Sequence, residues 1–238
     1  MSVGTVADSV KANRFNYGWA VLAVVFASMA VAIGGGQYAF GVFVKPLAEE
    51  FGWSRTQINI ALSFSAVGGL LSPLVGRAMD RYGARIVITV SLALMSATFL
   101  LRPFITELWQ FYALSAIQFA GFPGAAALPA ARLVGIWFPR TRGRMMGITA
   151  IGANFGGFVM PTLTGFIVAS AGWGWGYVAV GIIAAFIMTV GILVIRESPR
   201  GGRANEPTSS REAANTGAAA TLTGATVREV LRSRSFYA

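Results

Sequence analysis

Long apolar runs alternate with short polar breaks along most of the chain. The apolar runs extend from Tyr17 to Val44, Gln57 to Val75, Ile86 to Leu101, Leu108 to Ala131, Met145 to Ala171 and Trp175 to Ile195. A helix that crosses a bilayer needs about 20 predominantly apolar residues, so each run is read as one span. The third is short and takes in part of its flanks. The pattern predicts an all-α membrane protein with six transmembrane helices. Lys11 and Arg14 precede the first run, and Ala30-Val31-Ala32 within it resembles a signal-peptide cleavage site. The run continues to Val44, however, which is spanning length. After Ile195 the pattern changes. Residues 196–227, rich in Gly, Ser, Thr, Ala and Pro, read as a flexible cytoplasmic linker. Residues 228–238 turn amphipathic, as the lead-in to a seventh helix would.

Composition agrees with a membrane protein. Of 238 residues 55% are hydrophobic and 12% charged, against about 25% charged in a soluble domain. The chain has neither Cys nor His. That removes disulfides, Cys/His metal sites, Ser-His-Asp triads and Cys nucleophiles together, so no enzyme activity, metal or other cofactor is expected. A net charge of +10 would suggest nucleic acid in a soluble protein. Here the basic residues sit beside apolar runs, so the bilayer rather than nucleic acid is the expected partner.

Charge bias sets the orientation. With residues 1–16 as a cytoplasmic tail, the inner loops hold Lys11, Arg14, Arg77, Arg81, Arg85, Arg140, Arg142, Arg144, Arg196, Arg200 and Arg203, and the outer loops hold Lys45, Arg55 and Arg102. Both termini are therefore expected in the cytoplasm. All six Trp fall at expected helix ends, Trp19 and Trp137 on one side and Trp53, Trp109, Trp173 and Trp175 on the other, as in an aromatic belt. Asp80, Glu49, Glu50 and Glu107 lie at ends or in loops, and no ionisable residue is expected near a span centre.

A motif recurs. Gly68 to Pro73 reads GGLLSP, and Gly156 to Pro161, 88 positions later, reads GGFVMP. The first lies in the second span and the second in the fifth, which runs in the opposite direction. Two related triplets of helices, 17–102 and 108–195, form a 3+3 inverted repeat of the kind that builds secondary transporters. Gly68, Gly69, Pro73, Gly152, Gly156, Gly157 and Pro161 are expected to serve helix packing and bending. Gly152 and Gly156 form a small-xxx-small pair expected to meet a helix outside this chain.

The break from Gly76 to Ile88 reads GRAMDRYGARIVI. A plain positive loop accounts for its arginines but not for Asp80 between two glycines. Asp80 is placed to accept hydrogen bonds from the amides of a helix N-terminus. Arg77, Arg81 and Arg85 are free to pair with acids or carbonyls in one state and lipid phosphate in another.

This stretch resembles the loop motif of the major facilitator superfamily, Gly-x-x-x-Asp-Arg-x-Gly-x-Arg/Lys, at Gly76, Asp80, Arg81, Gly83 and Arg85. The resemblance implies that these five residues form a conformational-switch loop in an alternating-access cycle. Residues 16–55 and 137–161 are similar to monocarboxylate and oxalate/formate antiporter-type members. The likeness extends over about residues 14–199 and implies one half, the N-terminal one, of a twelve-helix fold. The superfamily often carries an Arg in the fourth helix shortly before a Gly; Ser115 to Gly121 here has none, which argues against proton coupling there.

Polar groups inside apolar spans are the candidate cavity: Gln37, Tyr38, Gln118 and Asn154. Gly34, Gln37, Gly41 and Lys45 share a face at helical spacing. Each amide also reads as an interhelical hydrogen-bonding group. Arg132 is expected to snorkel to lipid headgroups. The resemblance implies a secondary active transporter, of antiporter type by its subgroup, for a small organic anion such as a mono- or dicarboxylate, multi-pass in the plasma (cell inner) membrane. Its partners would be the bilayer, the small-molecule substrate and a C-terminal six-helix half. The alternative is a six-helix oligomeric channel or membrane scaffold.

Overall fold

A computed structural model describes residues 4–195, with side chains from residue 17 onward. The linker expected at 196–227 and the lead-in at 228–238 lie outside the described residues. Among the described residues six helical spans are long and apolar enough to cross a membrane: 17–51, 55–82, 84–104, 108–137, 142–171 and 173–194. The described residues form nine α-helices: α1 (Gly4–Met29), α2 (Phe40–Phe51), α3 (Arg55–Ser63), α4 (Ser65–Tyr82), α5 (Ala84–Leu101), α6 (Leu108–Ala125), α7 (Ala127–Trp137), α8 (Arg142–Ala171) and α9 (Trp173–Val194). The helix of the first span starts at Gly4, inside the stretch read as a tail. The third span does include its flanks, adding a 3₁₀ turn at Arg102–Phe104.

Local chemistry sets the boundaries. Ser54 and Gln57 bond reciprocally at the start of α3, and Glu107 and Gln110 do the same at α6, so both helices begin with a capping box. Two spans are interrupted. In the first, Ala30–Tyr38 is a π-helix, with the Ala39 N–H donating to the Gly34 carbonyl at 2.8 Å. The fourth breaks at Ala126, between α6 and α7. The first and fourth are counterparts in the repeat.

The repeat is visible in the packing. A Cβ at Gly68 would lie 2.6 Å from the Phe119 carbonyl oxygen, so the second span meets the backbone of the fourth there. Gly156 meets the backbone of the first span at Ala30, and Gly34 in turn meets Gly156. Exchanging the two repeats turns a second-on-fourth contact into a fifth-on-first contact, which is the pair observed. Ser28 Oγ donates to the Ala125 carbonyl at 2.6 Å and joins the first span to the fourth. Ser96 Oγ donates to the Gly181 carbonyl at 2.9 Å and joins the third to the sixth. Gly152 and Gly156 thus do not wait for an outside helix: both pack on the first span, Gly152 against Phe26. The apolar core runs through Phe43, Leu92, Met95, Phe99, Phe111 and Tyr177, which are at most 1% exposed.

Gly83 and Gly172 extend the symmetry to the connections. Gly83 joins α4 to α5 with φ 87° and ψ 161°; Gly172 joins α8 to α9 with φ 92° and ψ 165°. This region is nearly exclusive to glycine. No atom would crowd a Cβ at Gly172, so a substitution there meets backbone strain alone. Gly83→Ala and Gly172→Ala should therefore each lower stability by about 1–3 kcal/mol, whereas Gly76→Ala, inside α4 with open space around it, should not lower it. Thermal unfolding of the purified protein in detergent measures all three.

Candidate functional site

Three polar systems lie at different levels of the bundle. The first is the switch loop. Asp80, in the last turn of α4, receives a 2.8 Å bond from Arg132 Nη1 on α7. The expectation that Asp80 caps a helix N-terminus is corrected: its partner is the side chain that was expected to snorkel. Arg85, in the first turn of α5, donates through Nη2 to the Ile192 carbonyl at 2.6 Å, near the end of α9. The Arg81 guanidinium carbon lies 5.3 Å from the Tyr82 ring centroid. Gly83 is the turn itself, and Gly76 is open. The side chain of Asp80 is 80% exposed, so its pair contributes at most about 1 kcal/mol. It is a contact weak enough to break and reform.

The second system was not visible in the sequence. Arg102 was expected in an outer loop, yet it is 2% exposed. Its 3₁₀ turn directs the side chain into the bundle. The guanidinium carbon lies 5.2 Å from the ring centroids of Phe99 and Phe111 and 4.8 Å from that of Tyr177. Nη2 donates to Gln118 Oε1 at 2.7 Å and to Ser115 Oγ at 3.1 Å. No carboxylate pairs with it among the described residues. Desolvating a guanidinium is costly. Here three π faces and two oxygens offset the cost, each desolvated cation–π contact contributing up to about 2 kcal/mol. The buried guanidinium sits against the stretch of the fourth span that has no Arg.

Gln118 passes this interaction on. With Oε1 held by Arg102, Nε2 faces the Gly36 carbonyl at 3.3 Å, within the π-helix. Gln118 is 1% exposed, so both ends of its amide are engaged by protein and it does not open to a cavity in this conformation.

The third system is an open polar face on the first span. Gln37, Tyr38, Gly41 and Lys45 are exposed. Gly34, expected on that face, is buried against Gly156 because the wider π turn rotates it away. The Tyr38 ring lies over Gly157, where a Cβ would sit 2.9 Å from it. Gly157, read as a packing residue, therefore makes room for a candidate cavity residue. Asn154 is exposed on α8 and donates to the Ala150 carbonyl of its own helix at 3.3 Å. The structure thus brings Tyr38 and Gly157 together and separates Gln118 from the exposed face. Pro73 and Pro161 sit within continuous helices α4 and α8.

The Arg102 box should be structural in a measurable way. Arg102→Ala removes the guanidinium from among three rings and orphans Gln118 Oε1, and should cost about 3 kcal/mol. Arg102→Lys keeps the charge but loses the planar fork, and should recover only part of that. Thermal melts in detergent rank the two against wild type.

Comparison with known proteins gives the chain its place. The family model described as Major Facilitator Superfamily matches residues 14–238. The chain is 31% identical over 163 residues to "Probable anion transporter 3, chloroplastic" of Oryza sativa subsp. japonica, covering 66% of this chain and 31% of that protein. It is 30% identical over 156 residues to "Probable anion transporter 4, chloroplastic" of Arabidopsis thaliana, covering 64% and 29%. It is 26% identical over 192 residues to "Monocarboxylate transporter 14" of Homo sapiens, covering 80% and 38%. The chain spans less than half the length of each of these relatives. A loop motif held by Asp80 and Gly83, six spans in an inverted repeat and a family match over most of the sequence agree: the chain belongs to the major facilitator superfamily of membrane transporters.

Proposed function

We propose that this chain forms one bundle of an alternating-access carrier that moves a small organic anion, such as a mono- or dicarboxylate, by exchange. The observation that carries the reading is the exposed face of Gln37, Tyr38, Gly41 and Lys45 on an otherwise apolar first span. The Lys45 side chain is 75% exposed, and its ion pair with Glu49, one turn on, is a loose 3.8 Å. It is a cation available to a carboxylate. The relatives named for anion and monocarboxylate transport support the substrate class.

A second bundle is the proposed partner. Only 17% of the second span's apolar window and 22% of the fifth's are buried, against 67% for the first. Gly69 and Gly76 on the second span and Gly143 and Gly147 on the fifth have open space where a Cβ would be. Small residues allow close backbone approach between membrane helices. A substrate site between two rocking bundles then needs a complementary six-helix half. In this reading the breakable Asp80–Arg132 contact belongs to the switch formed by Gly76, Asp80, Arg81, Gly83 and Arg85. The excess of basic residues on the Asp80 side favours that end, with both termini, on the cytoplasmic face of the plasma (cell inner) membrane.

In the complete transporter, Asp80→Asn should leave insertion intact and slow uptake about tenfold or more, the effect of shifting a two-state balance by ~1.4 kcal/mol. Uptake by proteoliposomes at matched protein levels measures it, and an unchanged rate would remove the switch. The chain has no native Cys, so an introduced Cys is the single thiol of this bundle. Gln37→Cys should react with a water-soluble thiol reagent and be protected by oxalate, formate or lactate, while buried Gln118→Cys should stay silent. Labelling at position 37 that none of these anions slows would count against the proposed face.

A further inference from the structure

We propose that the chain carries a binding site for one anionic phospholipid in the groove between α5 and α9, at the end of the bundle that bears the switch loop. The groove has a volume of about 320 Å³ and is lined by Arg85, Ile86, Thr89, Val90 and Ile192. Its walls are almost entirely apolar. Ile86 and Val90, one turn apart on α5, are each 51% exposed, and Ile192 on α9 is 36% exposed. Thr89 does not interrupt the apolar surface, because its hydroxyl donates back to the Arg85 carbonyl at 2.9 Å.

One end of the groove is cationic. Arg85 stands in the first turn of α5, and its Nη2 is fixed on the Ile192 carbonyl at 2.6 Å. That bond holds the guanidinium at the mouth of the groove. An Arg side chain carries five N–H donors, and the others have no protein acceptor among the described residues. The position at the start of α5 adds the positive end of a helix dipole, which favours an anion. Among the described residues no carboxylate lines the groove.

A cation at the mouth and an apolar slot running along α5 match a molecule with a phosphate at one end and a hydrocarbon chain at the other. A free phosphate would use only the guanidinium. A zwitterionic lipid would bring its own cation to a groove where no acid stands among the described residues. The chemistry therefore selects a phospholipid with net negative charge. Basic pockets between membrane helices recognise such headgroups in this way. The bound lipid would lie across the α5–α9 seam and brace the Arg85 bond that joins the switch loop to the sixth span. The site is independent of the identity of the transported substrate.

The test uses the purified 238-residue chain in detergent, titrated with dioleoyl-phosphatidylglycerol, dioleoyl-phosphatidylcholine or inorganic phosphate, and read by native mass spectrometry and thermal melting. Phosphatidylglycerol should be retained as a single tight adduct at least about tenfold more strongly than phosphatidylcholine, a difference of ~1.4 kcal/mol, and should raise the melting temperature. Arg85→Gln should abolish the preference between the two lipids. Val90→Trp, which fills the slot and leaves Arg85 in place, should weaken the phosphatidylglycerol adduct while the protein alone melts as wild type. Inorganic phosphate should neither stabilise the protein nor displace the lipid. Equal retention of the two lipids, a preference that survives both substitutions, or displacement by phosphate alone would each overturn the proposal.

Discussion

Apolar helices in lipid gain little from meeting one another, because acyl chains are as apolar as Leu or Val side chains. What holds this bundle together is backbone contact at glycine. Gly156 lies directly on the first span at Ala30 and Gly34, and Gly68 lies on the fourth at Phe119. The rest of the architecture follows from these two approaches. With Gly156 against it, the first span carries Gly34 inward through its π turn and presents Gln37 and Tyr38 outward. With Gly68 against it, the fourth span is set where α7 offers Arg132 to Asp80. Because the two contacts exchange under the repeat, one packing solution is used twice.

The two polar systems inside this frame have different characters. The Arg102 box is buried, aromatic and closed by Gln118, and it reaches the π-helix at Gly36. The switch loop is exposed and rests on contacts that tie one repeat to the other: Asp80 to Arg132 joins the second span to the fourth, and Arg85 to Ile192 joins the third to the sixth. A rigid anchor near the rings and a breakable latch at the loop is an arrangement suited to a bundle that moves as a body.

Much of this was legible in the sequence, for physical reasons. Span number follows from the length of apolar runs, and the repeat from a Gly-Gly pair whose steric role allows no other side chain at Gly68 or Gly156. Gly83 was legible because a sharp reversal between two helices requires its backbone. The partners were not legible. Arg102 stands between Leu101 and Pro103 just past an apolar run, where a loop charge would also stand; the rings that hold it come from three places, Phe99, Phe111 and Tyr177. Asp80 and Arg132 are 52 positions apart. The π turn leaves no mark in the hydrophobic pattern, so helical spacing put Gly34 on one face with Gln37.

Packing in both motifs turns on the difference between neighbouring glycines. In each motif the first glycine touches backbone and the second does not: Gly69 is open, and Gly157 meets only the exposed ring of Tyr38. Thermal unfolding of four single Ala variants in detergent tests this directly. Gly68→Ala and Gly156→Ala should each cost about 3 kcal/mol or more, since a carbonyl of another span must move. Gly69→Ala and Gly157→Ala should melt at or above wild type, because Ala favours helix over Gly by ~1 kcal/mol. Four equal shifts, or a larger loss at the second glycine of either motif, would contradict a bundle built on these two backbone contacts.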